Sequence, residues 1–182
     1  ATMTDETVTV AEISSFQLET IHEFHPQISA ILNITPDHLN RHHTMECYIQ
    51  TKEAITTNQT NDEVCVLNYE DEVLRAFGES APVHVVWFSS ARKLAEGFYL
   101  DGEEIFYAHD GNTEKVINVN DLNLLGRHNY ENVMAATAMS VNFGVPMEKI
   151  VEVLKRFQAV EHRIEYVTEK RGVRFYNDSK GT

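Results

Sequence analysis

Four short apolar runs constrain the fold of this chain more than any other feature. They are Val8–Ile13, Ile28–Ile34, Val64–Leu67 and Val83–Phe88. Apolar character that is continuous rather than alternating is what a strand buried on both faces requires. Between the runs lie segments of helical spacing. Met45 to Thr57 gathers Met45, Tyr48, Ile49 and Lys52 near one face, and Glu70–Phe77 reads as a shorter helix. Strands alternating with helices predict an α/β fold with a mostly parallel sheet covered on both sides.

The pattern changes after Phe88. Two strand-like runs flank Asp101-Gly102, a hairpin turn signal, and Lys115–Val119 offers a further strand. Helices are expected over roughly His128–Asn142 and over Met147–Phe157, the second opening after Gly144 and Pro146. A last hairpin is expected from Arg163–Thr168 and Val173–Asn177 around Arg171-Gly172. The chain starts almost at a core strand and stops just after a new unit opens, so the sequence reads as a piece of a larger protein.

Charge and composition remove several function classes. Fifteen Lys and Arg against 28 Asp and Glu give a net charge of −13. That balance opposes a phosphate backbone, so nucleic acid is not an expected partner. A nucleotide remains compatible, because a cation and a few local basic groups offset the repulsion at one site. No apolar run reaches the ~20 residues of a membrane span, and the first residues lack the basic and apolar regions of a signal peptide. Cys47 and Cys65 are the two cysteines and have no CxxC spacing. A reducing, cytoplasmic setting fits them.

Five segments carry groups suited to chemistry. Glu12 ends the first apolar run, where a parallel sheet opens its ligand crevice, and its carboxylate suits Mg²⁺. The same stretch also suits a helix start, with Ser14 or Ser15 as the cap. Asn33-Ile34-Thr35-Pro36-Asp37-His38-Leu39-Asn40-Arg41-His42-His43 leaves the second strand and could share that crevice. His38 and His42 have the i,i+4 spacing of a zinc pair, but Pro36 and the polar composition argue for a loop. Most of these histidines are expected at the surface, His38 excepted if it faces the crevice. Lys52, on the next helix, reads by itself as a solvated charge.

Gly126-Arg127-His128-Asn129-Tyr130-Glu131-Asn132 places Asn129 and Asn132 on one side of a first helical turn. Their amides can read a purine edge or cap the helix. Asn177-Asp178-Ser179-Lys180-Gly181-Thr182 combines an acid, a hydroxyl and an ammonium, as a polar-substrate site or a plain turn would. Arg163, after Glu161-His162, suits phosphate or carboxylate. No G-x-x-x-x-G-K-[ST] loop occurs; Gly97 and Gly102 have the glycine spacing but precede Glu103.

Taken in order, these segments resemble the Mur ligase family. The resemblance rests on Ala11-Glu12-Ile13-Ser14-Ser15-Phe16-Gln17-Leu18-Glu19, Leu32-Asn33-Ile34-Thr35-Pro36-Asp37-His38, Gly126 to Asn132, Glu161-His162-Arg163 and Asn177-Asp178-Ser179-Lys180. The Ser-Ser-Phe-Gln and Asn-Asp-Ser-Lys stretches are most similar to members that add D-glutamate. The sequence departs from many members at Phe157–Glu161, where they have Gly and Pro, and at Gly181, where they have Ala.

The resemblance implies a fold and its division. Residues 1–160 would be the latter part of the central, ATP-binding domain, without its phosphate loop. Residues 161–182 would be the first strands of a Rossmann-like third domain. It also implies roles: Glu12 and His38 as Mg²⁺ ligands, and Lys52 as a lysine that becomes a carbamate beside a second Mg²⁺. His128, Asn129, Asn132, Arg163 and Asp178 would contact ATP. Ser14, Thr35, Arg41, Lys180 and Thr182 would bind substrate, and His38 and Lys52 would serve catalysis. The implied reaction joins D-glutamate to UDP-N-acetylmuramoyl-L-alanine through an acyl phosphate, with ATP and Mg²⁺ as cofactors and a monomeric parent protein. Two alternatives stand beside it: another Mur or folylpolyglutamate-type ligase, and a non-catalytic nucleotide-binding or interaction fragment.

Overall fold

The computed structural model describes residues 3–4, 6–158 and 165–180. Its centre is a six-stranded sheet of β1 (Ile28–Ile31), β2 (Val64–Asn68), β3 (His84–Ser89), β4 (Gly97–Asp101), β5 (Glu104–His109) and β6 (Asn112–Asn118), in that spatial order. The pairings β1–β2, β2–β3 and β3–β4 are parallel, and β4–β5 and β5–β6 antiparallel. The expected α/β class is therefore observed, and the Asp101-Gly102 hairpin extends the same sheet.

Alternation along the strands builds two cores. On β2 and β3, Val66, Val86 and Phe88 join Phe98, Ile105, Val133, Met134 and Ala138 on one side. Cys65 and Leu67 join Ile31, Ile34, Tyr48 and Leu74 on the other, with Val85 and Trp87 packed against them. Successive side chains of a strand point to opposite faces, so both faces of the parallel strands need cover. The first face is covered by α5 (Arg127–Asn142), which is backed by α6 (Met147–Arg156). The second is covered by α3 (Met45–Glu53) and α4 (Glu72–Gly78).

The junction between the parallel and antiparallel halves depends on glycine. Gly97 has φ +111°, and a Cβ there would lie 2.3 Å from the Trp87 carbonyl oxygen. At Gly78, the end of α4, a Cβ would lie 2.3 Å from the Trp87 ring. Trp87 thus meets a bare backbone on two sides.

Two expectations need correction. Val8–Ile13 is not a buried strand: it has no regular secondary structure, and Val8 and Val10 are 59% and 89% exposed. β-branched side chains favour extended backbone, but a strand also needs a neighbour for its backbone groups. Among the described residues no strand pairs with this run. Second, the Asn33–His43 segment is not all loop, because α2 (Leu39–His42) forms one helical turn within it. The final expected hairpin is present as β7 (Glu165–Lys170) and β8 (Val173–Asn177). No helix among the described residues is long and apolar enough to cross a membrane.

Candidate functional site

The carboxyl ends of β1, β2 and β3 point the same way, and Thr35, His38 and Arg41 follow β1. Beyond β1, the Ile34 backbone N–H donates to Asp71 Oδ2 at 2.7 Å, and Asn68 Nδ2 donates to the Leu32 carbonyl at 3.1 Å. These bonds hold the chain as it enters Thr35–His38. Thr35 is exposed. His38 is left-handed, with φ 53°; its N–H donates to Asp37 Oδ1 at 2.7 Å and its ring Nε2 lies 3.5 Å from Asp37 Oδ2.

The segment after Glu12 packs on the segment after His38. Glu12 itself is exposed. Ser14 caps α1 (Ser15–Leu18) in a reciprocal box: its N–H donates to Gln17 Oε1 at 2.9 Å, and Gln17 N–H to Ser14 Oγ at 3.4 Å. The cap foreseen there therefore forms. Arg41 grips Glu19 through Nε at 3.3 Å and Nη2 at 2.7 Å, and this bond above all holds the Glu19 carboxyl below its ordinary range. His42, rather than His38, is the buried histidine. Its side chain is 1% exposed, with Nδ1 3.4 Å from Glu19 Oε1 and Nε2 3.0 Å from Ser15 Oγ. Phe16 lies against both rings, at 4.9 Å from His38 and 5.8 Å from His42. The two imidazoles thus have different partners and form no zinc pair.

Lys52 departs from a solvated lysine. It is half-buried on α3, and its Nζ lies 5.4 Å from the Tyr48 ring centre. Burial pushes its pKa below the ordinary value of 10.5, against a smaller upward pull from the Asp37 carboxylate. The same two causes, burial first, push the Tyr48 hydroxyl up. Asp37, Tyr48 and Lys52 therefore share one neighbourhood, in which an amine more easily exists neutral. No group of three or more His, Cys, Asp or Glu poised for a metal occurs among the described residues.

A network that sequence reasoning missed lies at the ends of β2 and β3. Arg127 Nε donates to Ser90 Oγ at 2.8 Å and its Nη2 to the Ser90 carbonyl at 2.6 Å, while Ser90 Oγ bonds Glu131. Ser89 Oγ donates to Glu70 at 2.5 Å, and Arg92 makes two bonds to Glu70 at 2.9 and 2.7 Å. Arg127 thereby fixes the first turn of α5, which carries His128, Asn129 and Asn132. The available signal was a Ser-Ser pair at the end of a buried strand. His128 is exposed. Asn129 donates to the Leu125 carbonyl at 2.7 Å, an end-of-helix bond. Asn132 borders a mostly apolar groove of about 370 Å³ between α5 and α6, with Val133, Ile150 and Phe157 in its walls.

Asp178 and Lys180 are exposed beyond β8, where the Ser179 N–H donates to Asn177 Oδ1 at 3.2 Å. Arg163 and Thr182 lie outside the described residues. The structure thus sets Thr35, His38 and Arg41 on the segment that leaves β1, with Lys52 near Asp37, and His128, Asn129 and Asn132 on α5.

Comparison with known proteins bears on the family and the fold. Residues 1–140 match the Mur ligase middle domain. The UDP-N-acetylmuramoylalanine–D-glutamate ligase of Lachnospira eligens is 62% identical over 178 residues, covering 98% of this chain and 40% of the relative. The enzyme of the same name from Lachnoclostridium phytofermentans is 57% identical, covering 98% and 39%. The chain thus spans about two fifths of the length of these curated relatives. A solved UDP-N-acetylmuramoyl-L-alanyl-D-glutamate–2,6-diaminopimelate ligase shares the fold at TM-score 0.66 and 22% identity, over 87% of this chain and 34% of its own. The MurF ligase of Thermotoga maritima, solved with ADP, does so at TM-score 0.56 and 18% identity, over 84% and 35%. The match of residues 1–140 to the middle domain, on a mostly parallel sheet, makes this chain a member of the Mur ligase family.

Proposed function

We propose that this chain serves as the nucleotide-handling middle portion of a cytoplasmic ligase of peptidoglycan synthesis, one that joins D-glutamate to UDP-N-acetylmuramoyl-L-alanine at the expense of ATP. The observation that carries the reading is the 62% identity, across 98% of the chain, to a relative named for that reaction. In this reading residues 1–160 belong to the central domain and residues 161–182 open the third.

The residues present fit Mg²⁺ as an incomplete site. Glu12 offers carboxylate oxygen and His38 an imidazole nitrogen, both exposed, and a Mg²⁺ site of this kind takes its remaining ligands from water and substrate phosphates. When bound, the ion neutralises charge on the phosphoryl group in transfer. Lys52 supplies a half-buried amine with a lowered pKa, so a larger neutral fraction is free to take up CO₂ as a carbamate. Asn132, with Asn129 one turn before it, would read adenine at the mouth of the apolar groove, and His128 would lie alongside. Arg163 and Asp178 would complete the ATP contacts. Ser14, Thr35, Arg41, Lys180 and Thr182 would orient the two substrates, the last two on the D-glutamate carboxylates. ATP phosphorylates the alanyl carboxylate, the D-glutamate amine attacks the acyl phosphate, and phosphate leaves.

The test is phosphate release by the full-length protein with Mg-ATP and UDP-N-acetylmuramoyl-L-alanine. D-glutamate, L-glutamate, L-lysine and D-alanyl-D-alanine are supplied in separate reactions. Turnover with D-glutamate alone is expected, and its loss in Glu12→Ala. A folded protein inactive with all four amines would refute the reading and favour a folate-type ligase or a non-catalytic relative.

A further inference from the structure

Two helices of one turn each, α1 and α2, stand beside residues assigned to the cation, and neither has the length to hold its own shape. A single turn fixes several dihedral angles for one hydrogen bond and is unfavourable by itself. Here each turn is made by the other. Glu19, at the end of α1, takes Arg41 and His42 from α2, while Ser15 within α1 meets the far nitrogen of the same imidazole. Phe16 fills the space between, with His38, His42 and Arg41 around its ring at 4.9, 5.8 and 6.0 Å. Tyr48 of α3, the helix of Lys52, closes the other side of His42 at 5.2 Å.

Burial makes His42 the pivot. A ring with 1% of its side chain exposed has no water to turn to, so both nitrogens depend on Ser15 and Glu19. Glu12 precedes α1 by three residues and His38 is the residue that opens α2. Any shift of one turn against the other therefore changes the separation of those two groups. His42 also touches the helix that carries Lys52, so a single side chain links all three segments.

We propose that His42 is a positioning residue, which with Ser15 and Glu19 clasps α1 to α2 and so sets the spacing of the cation ligands. This inference rests on the assignment of Glu12 and His38 to the Mg²⁺ site. Buried between Ser15, Glu19 and Tyr48, His42 acts through the two short helices.

The experiment uses the full-length protein and two readouts, Mn²⁺ binding followed by electron paramagnetic resonance and the Mg²⁺ concentration for half-maximal ligation. Losing a group that orients metal ligands weakens metal binding about 10–100-fold. His42→Leu is expected to weaken Mn²⁺ binding about tenfold and to raise the half-maximal Mg²⁺ concentration in step. Saturating Mg²⁺ should restore most of the activity. His42→Asn, which keeps a donor toward Glu19, should recover part of the loss. Ser15→Ala leaves the imidazole in place and removes one partner, so it tests the clasp should His42→Leu fail to fold. Unchanged Mn²⁺ binding in Ser15→Ala and in a folded His42 variant overturns the proposal. Glu12→Gln separates it from the reading beneath it. If Glu12→Gln weakens Mn²⁺ binding and the clasp variants do not, only the clasp is wrong; if Glu12→Gln is also without effect, the cation assignment falls.

Discussion

Asp71 holds the Ile34 backbone N–H at 2.7 Å through one carboxylate oxygen and caps α4 with the other, which accepts from Val73 and Leu74 N–H at 3.0 and 3.1 Å. One side chain thus starts a helix and fixes the exit of β1 toward Thr35–His38. Asp71→Ala should cost about 1.5–5 kcal/mol, the sum of a lost cap and a stranded N–H, read as a lower urea midpoint. Asp71→Asn keeps an acceptor and should cost less. Equal effects of the two would mean that the charge, and not the bonds, matters.

Lys52 should reduce stability at neutral pH. Its folded pKa lies below 10.5, chiefly because burial disfavours the ammonium. Between the folded value and 10.5 the unfolded chain binds more protons, so stability rises with pH through that window; below it the whole penalty is present. Lys52→Met should therefore raise the unfolding midpoint at pH 7 in CO₂-free buffer and remove the alkaline rise. The ring of Tyr48 opposes this by about 0.5–1 kcal/mol. A less stable methionine variant would mean that the ring contact outweighs burial.

The two thiols should differ sharply. Cys65 is buried, and burial pushes its thiol to about 11 against a weaker downward pull from Ser29. At pH 8 that leaves about one thiolate in a thousand, whereas Cys47 is exposed. A disulfide reagent should modify one thiol in the folded protein and two in guanidinium chloride. Two fast thiols under native conditions would contradict the packing of β2.

Glycines of similar conformation should respond unequally to alanine. At Gly97 the new methyl meets the Trp87 carbonyl at 2.3 Å with φ +111°, whereas at Gly102, φ +60°, nothing lies within 4 Å. Gly102→Ala should cost about 1–2 kcal/mol for the left-handed backbone alone. Gly97→Ala should cost distinctly more, because the obstacle is backbone. Matching midpoints would show that β3 and β4 separate freely.

Most of the sheet was legible because its strands pair with neighbours of the same kind. Ile28–Ile31, Val64–Asn68 and His84–Ser89 match their apolar runs closely. Val8–Ile13 has the same composition and a different outcome, since a run of residues does not say whether a partner strand is beside it. The one-turn helix at Leu39–His42 was invisible for a related reason: its support is Glu19, 22 residues before Arg41 in the chain. Arg41 and Lys52 were found as residues through the family resemblance, but not their environments. A salt link to Glu19 and a half-buried amine are properties of packing, which spacing does not encode. The Ser90–Arg127 link escaped because its partners are separated by 37 positions.

The chain contains one tryptophan, Trp87, and the packing described above makes it a built-in optical probe. Its ring stands edge-on to Tyr69 at 5.3 Å, beside Gly78, in the core between the parallel sheet and α4. Emission excited selectively at tryptophan therefore comes from a single place, at the seam where the parallel half joins the antiparallel one. A red shift would mark water reaching that seam, so loosening of the half that carries Lys52 and His38 can be followed without a label, separately from fraying at either end of the chain.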